Sequence, residues 1–328
     1  MDDKDYLKSI PGFDLVPQDM RDALDRFSDE AMGIVHGLLR VLESEEPPPI
    51  IYHYTNEAGL RGILQSGQLW LTDIFSLNDP TELSHGFSNA VKVLNDKLVN
   101  RHPVGRVFAE NFAVFYKQGA IQKVAHFFVC AFSVLGNDLG QWRTYADNGR
   151  GYALAFDAKT LEDGFTKKDG IPILNNSTFH VRYNDRQLSD IQGQIIEKML
   201  DLIMQPKGRG LQNSVINTYM MELQMRLTFN ILQTILFFKH EGYDHEKEYR
   251  FLQIHRADMP PPDVKVSPRL AKYREFDWRS VAAGSLKEIV VGPAADRAKA
   301  AQVANDCLCQ FHSGAVSITY SGIPYRAM

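Results

Sequence analysis

The chain predicts an α+β fold, with a mixed or antiparallel sheet, a helical insert and a helical N-terminal preface. Three observations lead there. Strand-like segments rich in β-branched and aromatic residues recur from Ile51 to the C-terminus, too many for a helical bundle. The connections between them vary in length, which a regular alternation of strand and helix would not give. Two long helical patterns, Leu188–Gln205 and Asn213–Phe238, interrupt the strands as one block parted by "PKGRG".

The elements follow in order. "DMRDALDRFSDEAMGIVHGLLRVLES" repeats apolar residues at helical spacing and stops at "EEPPP", where three prolines cannot continue a helix, so residues 1–49 form the preface. From 50 to 328 the reading is one domain with an insert at about 188–240. "IIYHYT" reads as a strand, and "NEAGLRGILQSG" as a short amphipathic helix that Thr55 or Asn56 can cap and Gly67 closes. "QLWLT" alternates again. A helical stretch from about Ser88 to Lys123 precedes an apolar strand around Phe127–Phe132. Turn chemistry at Asp147, Asn148 and Gly149 leads into a strand over Tyr152–Phe156. After the insert come the strands "EKEYRFLQI" and "LKEIVVGP", a helix over 295–307 and a last strand, "AVSITYSG". The insert helices are expected to cover one side of the sheet, with Met220, Met221 and Met225 as core filler.

Composition excludes several classes. At 328 residues and 44% hydrophobic, the chain can bury a full core without staples. Three cysteines, Cys130, Cys307 and Cys309, are an odd number that argues against a disulfide framework, and Cys307-x-Cys309 lacks the second pair a zinc ribbon needs. A net charge of -4 gives no chain-wide footprint for nucleic acid. The acidic start lacks a signal peptide's basic and apolar regions, and no apolar run reaches membrane-spanning length, so the expected location is cytoplasmic, with no membrane partner.

Two places draw attention as chemistry. In "HEKEYRFLQI", Glu246, Glu248 and Arg250 stand at i, i+2 and i+4, which on a strand sends all three to one face. Two adjacent carboxylates repel, raising the pKa of at least one unless Arg250 or a ligand compensates. The plain alternative is a solvated edge strand. His53 lies in an apolar strand just before a helix, where a lone histidine is commonly structural. Its companions are Ser133, behind two aromatics in "AFSVL", and Glu248 on a late strand. In "SLNDPTELSHG", Asn78, Asp79 and Glu82 are candidate metal ligands, but the stretch reads first as a turn in which Asp79 with Thr81 caps a helix at Glu82; its functional reading is a loop closing over substrate.

In their order, "IYHYT", "GILQSGQLWLT", "CAFSV" and "EKEYRFL" resemble the motifs of the ADP-ribosyltransferase superfamily, which splits the nicotinamide bond of NAD. "HYT", "SLNDPTEL", "WRTYADNGRGYALAFD", "EKEYR" and "KEIVVGP" also resemble a bacterial family of uncharacterised proteins, from about residue 51 to the end. The first resemblance implies an ADP-ribosyltransferase-type sheet and NAD as substrate, with Glu248 as the catalytic glutamate and Glu246 as the first acid of a Glu-x-Glu pair. It gives His53, in the run His53, Tyr54, Thr55, the role of holding the adenosine ribose. Ser133 matches the strand serine, while the rest of a Ser-Thr-Ser motif is absent. Trp142 and Tyr145 are candidates for the aromatic that stacks on nicotinamide, and no metal belongs to this site. The resemblance further implies a macromolecular acceptor, nucleic acid or protein, and the role of a toxin or phage-defence effector, with a cognate inhibitor in the toxin case.

Three other functions stay open at this point. Water as acceptor makes an NAD glycohydrolase. Asp79, Glu82, Glu246 and Glu248 with magnesium make a metal-dependent nuclease, against which "EKE" lacks the acid-x-lysine order of restriction-type cores. A non-catalytic module would use the helical insert to contact a partner.

Overall fold

The computed structural model describes residues 11–77, 81–98, 103–117, 125–168, 171–172, 175–256, 262–268 and 270–327. In chain order, α1 (Gln18–Glu43) leads to β1 (Ile50–Thr55), α2 (Glu57–Ser66) and β2 (Leu69–Asp73). Next come α3 (Thr81–Leu98), α4 (Pro103–Lys117) and the long β3 (Ala125–Ser133). They are followed by α5 (Leu139–Tyr145), β4 (Tyr152–Asp157), α6 (Ala158–Thr166), the short β5 (Lys167–Lys168) and β6 (Ile171–Pro172), and β7 (Asn176–His180). The insert supplies α7 (Asp185–Met199) and α8 (Asn213–Ile235). The chain closes with β8 (Glu248–Arg256), β9 (Lys265–Val266), β10 (Lys272–Phe276), α9 (Trp278–Val281), β11 (Leu286–Val291), α10 (Arg297–Phe311) and β12 (Ser317–Tyr320).

The fold is α+β, and its main sheet is mixed, with β11 and β12 parallel and the other pairs antiparallel. The arrangement around β3 decides where a site can form. Along one edge β3 pairs with β8 over its whole length, from Ala125↔Arg256 to Ser133↔Glu248. Along the other edge it is shared: β2 pairs at Val129 and Phe128, and β1 at Ser133. Between those contacts β1 and β2 diverge, leaving a gap beside Cys130, Ala131 and Phe132.

Alternation along β3 divides two cores. Ala125, Phe127 and Val129 face the helices, packing with residues of α1, α3, α4, α7 and α8. Phe128, Cys130 and Phe132 face the other way, with Phe156, Tyr249, Phe251, Trp278 and Cys307. The insert therefore covers one face of the sheet, as its length and pattern predict. α8 is buried nearly all round from Glu222 to Ile235 because α1, α3, α4 and α7 surround it. The preface joins the same layer, α1 burying Met20, Leu24, Phe27 and Val35.

Local details agree with the sequence in part. Asn56, not Thr55, caps α2, its Oδ1 accepting from the Gly59 N–H at 2.8 Å, and Gly67 closes the helix at φ 72°. Asp147, Asn148 and Gly149 form the turn before β4 with φ of 49°, 52° and 83°. The helix expected to end at Cys307 runs to Phe311. Met220 and Met225 pack on the helical core, but Met221 is 47% exposed and is not filler. Among the described residues no helix is long and apolar enough to cross a membrane.

Candidate active site

The gap between β1 and β2 opens into a cleft of about 270 Å³. Its floor is the end of β3 and β8 that the helical layer leaves uncovered. Cross-strand partners share a face in an antiparallel pair, so Ser133 with Glu248 and Ala131 with Arg250 point to the same side. Lys239, just beyond α8, reaches the same place, as does Tyr145 from the end of α5.

Lys239, Glu246, Glu248 and Arg250 form a network of balanced charge, with the half-exposed Tyr145 at its rim. Lys239 Nζ lies 2.7 Å from Glu246 Oε2 and 2.7 Å from Glu248 Oε2. Arg250 Nε donates to Glu248 Oε1 at 2.6 Å, and its Nη1 donates to the Leu236 carbonyl. Tyr145 Oη donates to Glu246 Oε1 at 2.9 Å, and Tyr183 Oη accepts from the Glu248 N–H. Glu248 is 4% exposed. Burial alone would raise its pKa, but the charges of Arg250 and Lys239, with their hydrogen bonds, outweigh it and bring the carboxyl down to about 2. Glu248 is therefore an anion at neutral pH. The Tyr145 phenol is pushed up by burial and then by the charge of Glu246, so it stays a donor.

The network corrects the strand reading of "EKEYR". β8 begins only at Glu248. Lys247 takes a left-handed conformation at φ 44°, and Glu246 ends the 3₁₀ turn Glu241–Glu246. Glu246 and Glu248 converge because the chain turns between them, not because they alternate along one strand. Nor is the segment a solvated edge: β8 lies between β3 and β7, with Glu248 and Arg250 buried.

His53 stands at the split itself. Its ring nitrogen Nδ1 is 3.3 Å from the Ala131 carbonyl oxygen, at the position where β1 no longer pairs with β3. A carbonyl only accepts, so Nδ1 carries the proton and Nε2 keeps a lone pair. Burial lowers the ring's pKa, partly opposed by the bond to Ala131, which favours the neutral ring. Among the described residues Nε2 has no hydrogen-bond partner and can accept from a ligand.

The remaining expected residues divide. Tyr54 lines the cleft, but its hydroxyl donates to the Leu135 carbonyl and accepts from the Asp138 N–H. Ser133 also lines it, with its hydroxyl donating to the Glu246 carbonyl at 2.7 Å, so it pins the Glu246 backbone. Thr55 is not among the lining residues. Trp142 is fully buried in a small core with Tyr54, its Nε1–H donating to Asn137 Oδ1, and cannot present a face to a ligand there. Trp70 on β2 can. It lines the cleft, is 46% exposed and stacks on Tyr273 with centroids 3.9 Å apart. In the sequence it reads as one more apolar strand residue. Lys239 was equally hidden, as an ordinary basic residue at a helix end.

For the nuclease alternative, Asp79 lies outside the described residues and Glu82 is in the first turn of α3. The ammonium of Lys239 stands between the Glu246 and Glu248 carboxylates, in the place a shared magnesium ion would take.

Residues 141–251 match a family described as "Protein of unknown function (DUF2971)". No curated protein and no solved structure matches the chain. The matched span is about a third of the chain. It holds Gln141, Tyr145, Lys239, Glu246, Glu248 and Arg250 but neither His53 nor Ser133, so it contains the charged network and not the other wall of the cleft.

Proposed function

We propose that the chain is an NAD-consuming ADP-ribosyltransferase with a sheet of that type, acting on a macromolecular acceptor. The observation that carries the reading is the meeting of His53 and Glu248 on one cleft, from strands far apart in sequence, with Glu248 held ionised. Breaking the bond between ribose C1′ and the nicotinamide nitrogen sends the bonding pair to that nitrogen and leaves positive charge on the sugar. An anion already in position beneath the sugar stabilises that charge without reorganising. Glu248 fits that role, steadied by Arg250.

Glu246, oriented by Tyr145 and Lys239, is the base for the proton of the acceptor nucleophile as it attacks C1′. His53 Nε2 accepts a hydrogen bond from a ribose hydroxyl, and the exposed plane of Trp70 stacks on a heterocycle of the dinucleotide.

Nicotinamide release by the purified protein, with and without cell lysate, tests this. The wild type is expected to release nicotinamide faster in lysate, and Glu248→Gln to lose about 100-fold or more, the scale of removing one electrostatic group aimed at a transition state. Equal release by the two proteins, or none by either, contradicts the reading.

A further inference from the structure

Outside the cleft, a second cluster of ligating side chains has no part in this chemistry. α3 supplies His85, the first turn of α7 supplies Asp185, and the segment after α8 supplies His240. One ligand atom from each lies within 4.8 Å of the other two. His85 Nε2 is 3.0 Å from Asp185 Oδ1, and the two imidazole rings stand 4.9 Å apart at 84°. Two imidazoles sharing one ion through bonds of about 2.0–2.1 Å, at a tetrahedral angle, have centroids about 5 Å apart. The rings already have that spacing. His85 and Asp185 are half-buried and His240 is exposed, so one side of the cluster is open to water.

We infer that His85, Asp185 and His240 form a zinc site, with water completing the coordination, that ties α3 and α7 to the turn ahead of β8. The donor set argues for the ion: two imidazoles and one carboxylate suit zinc, whereas magnesium and calcium favour oxygen alone. The site does not depend on which reaction the cleft performs.

Its place in the chain gives it a reach. His240 Nδ1 accepts from the Gly242 N–H at 3.0 Å and so caps the 3₁₀ turn Glu241–Glu246, whose last residue belongs to the charged network. The ring cannot keep that role when loaded. If zinc takes Nδ1, the Gly242 donor loses its acceptor; if zinc takes Nε2, the neutral ring carries its proton on Nδ1 and the bond is lost as well. This bond, and the His85–Asp185 hydrogen bond that an ion between them replaces, are small losses against three metal–ligand bonds. Zinc loading therefore uncaps the turn between Lys239 and Glu246.

The full chain, stripped by a chelator, is titrated with zinc against a chromophoric competitor, beside His240→Ala, Asp185→Asn and, as a surface control, His36→Ala. Expected is one zinc per chain, bound at least about 10-fold more weakly by the first two variants and unchanged in the control. Because His240 is exposed, its variant is expected to keep the wild-type circular dichroism. Zinc should raise the melting temperature of wild type and not of His240→Ala, and excess magnesium should not compete. Wild-type affinity no tighter than that of both variants overturns the inference and leaves a His–Asp pair beside a third ring.

Discussion

Lys239 is the residue on which the network turns. Its ammonium faces two carboxylates that are each almost wholly buried, and removing one partner of a buried ion pair leaves the others uncompensated. Lys239→Met is expected to destabilise the chain by about 3–5 kcal/mol in urea denaturation. A loss under 1 kcal/mol would mean that water or Arg250 already compensates both acids. Tyr145→Phe removes only the hydroxyl on Glu246 Oε1 and should cost about 1 kcal/mol. Glu248 ties stability to acid. Its folded pKa is depressed, so its contribution is complete above the ordinary value of 4.5 and is lost as pH falls toward about 2. Glu248→Gln should flatten the stability profile across that window, read by denaturant melts at stepped pH. The residues also show what a sequence can reveal. "EKEYR" marks Glu248 and Arg250 because acid and base at strand spacing are visible locally. Lys239 sits nine residues before Glu248, and only the 3₁₀ turn brings it back.

At the scale of elements, α8 explains itself only through its neighbours. Its apolar residues run all round, a pattern of burial rather than of one face, and α1, α3, α4 and α7 supply the cover. Within that layer Glu222 is fully buried beside Arg226, which also reaches Asp25 and Ser28 on α1. Burial raises the Glu222 carboxyl to about 7, more than Arg226 lowers it. A raised carboxyl holds its proton better when folded, so stability is full below 4.5 and declines as pH rises through about 7. Glu222→Gln should therefore gain stability over wild type at pH 8 and match it at pH 4; a gain equal at both would contradict the assignment. The long helices and most strands are legible from periodicity and caps, although the one helical stretch expected from about Ser88 to Lys123 holds parts of two helices, α3 and α4, and α6 and α9 leave no pattern of their own. β7, β10 and α5 escaped because they are short and draw their order from pairing and packing rather than from their own pattern.

Across the whole molecule, one mixed sheet divides two cores, and the cleft lies where that division is incomplete. The sequence makes the α+β class and the motif order visible. It does not show that β1 and β2 part over β3, since pairing of strands separated by tens of residues leaves no local mark. His53 stands out in the sequence as an ionisable ring in an apolar strand, and the split gives it a physical reason: it meets a carbonyl that has lost its neighbouring strand. Trp142, a candidate for the stacking aromatic, is core, whereas Trp70, which the strand pattern does not single out, faces the cleft. The most direct measurement is isothermal titration of NAD into wild type, His53→Ala and Glu248→Gln. Expected are one NAD per wild-type chain, binding about 2- to 10-fold weaker in His53→Ala, since a lost neutral hydrogen bond is worth about 0.5–1.5 kcal/mol, and retained binding without turnover in Glu248→Gln. No binding by wild type at millimolar NAD, or the same affinity in His53→Ala, would contradict a dinucleotide cleft between β1 and β2.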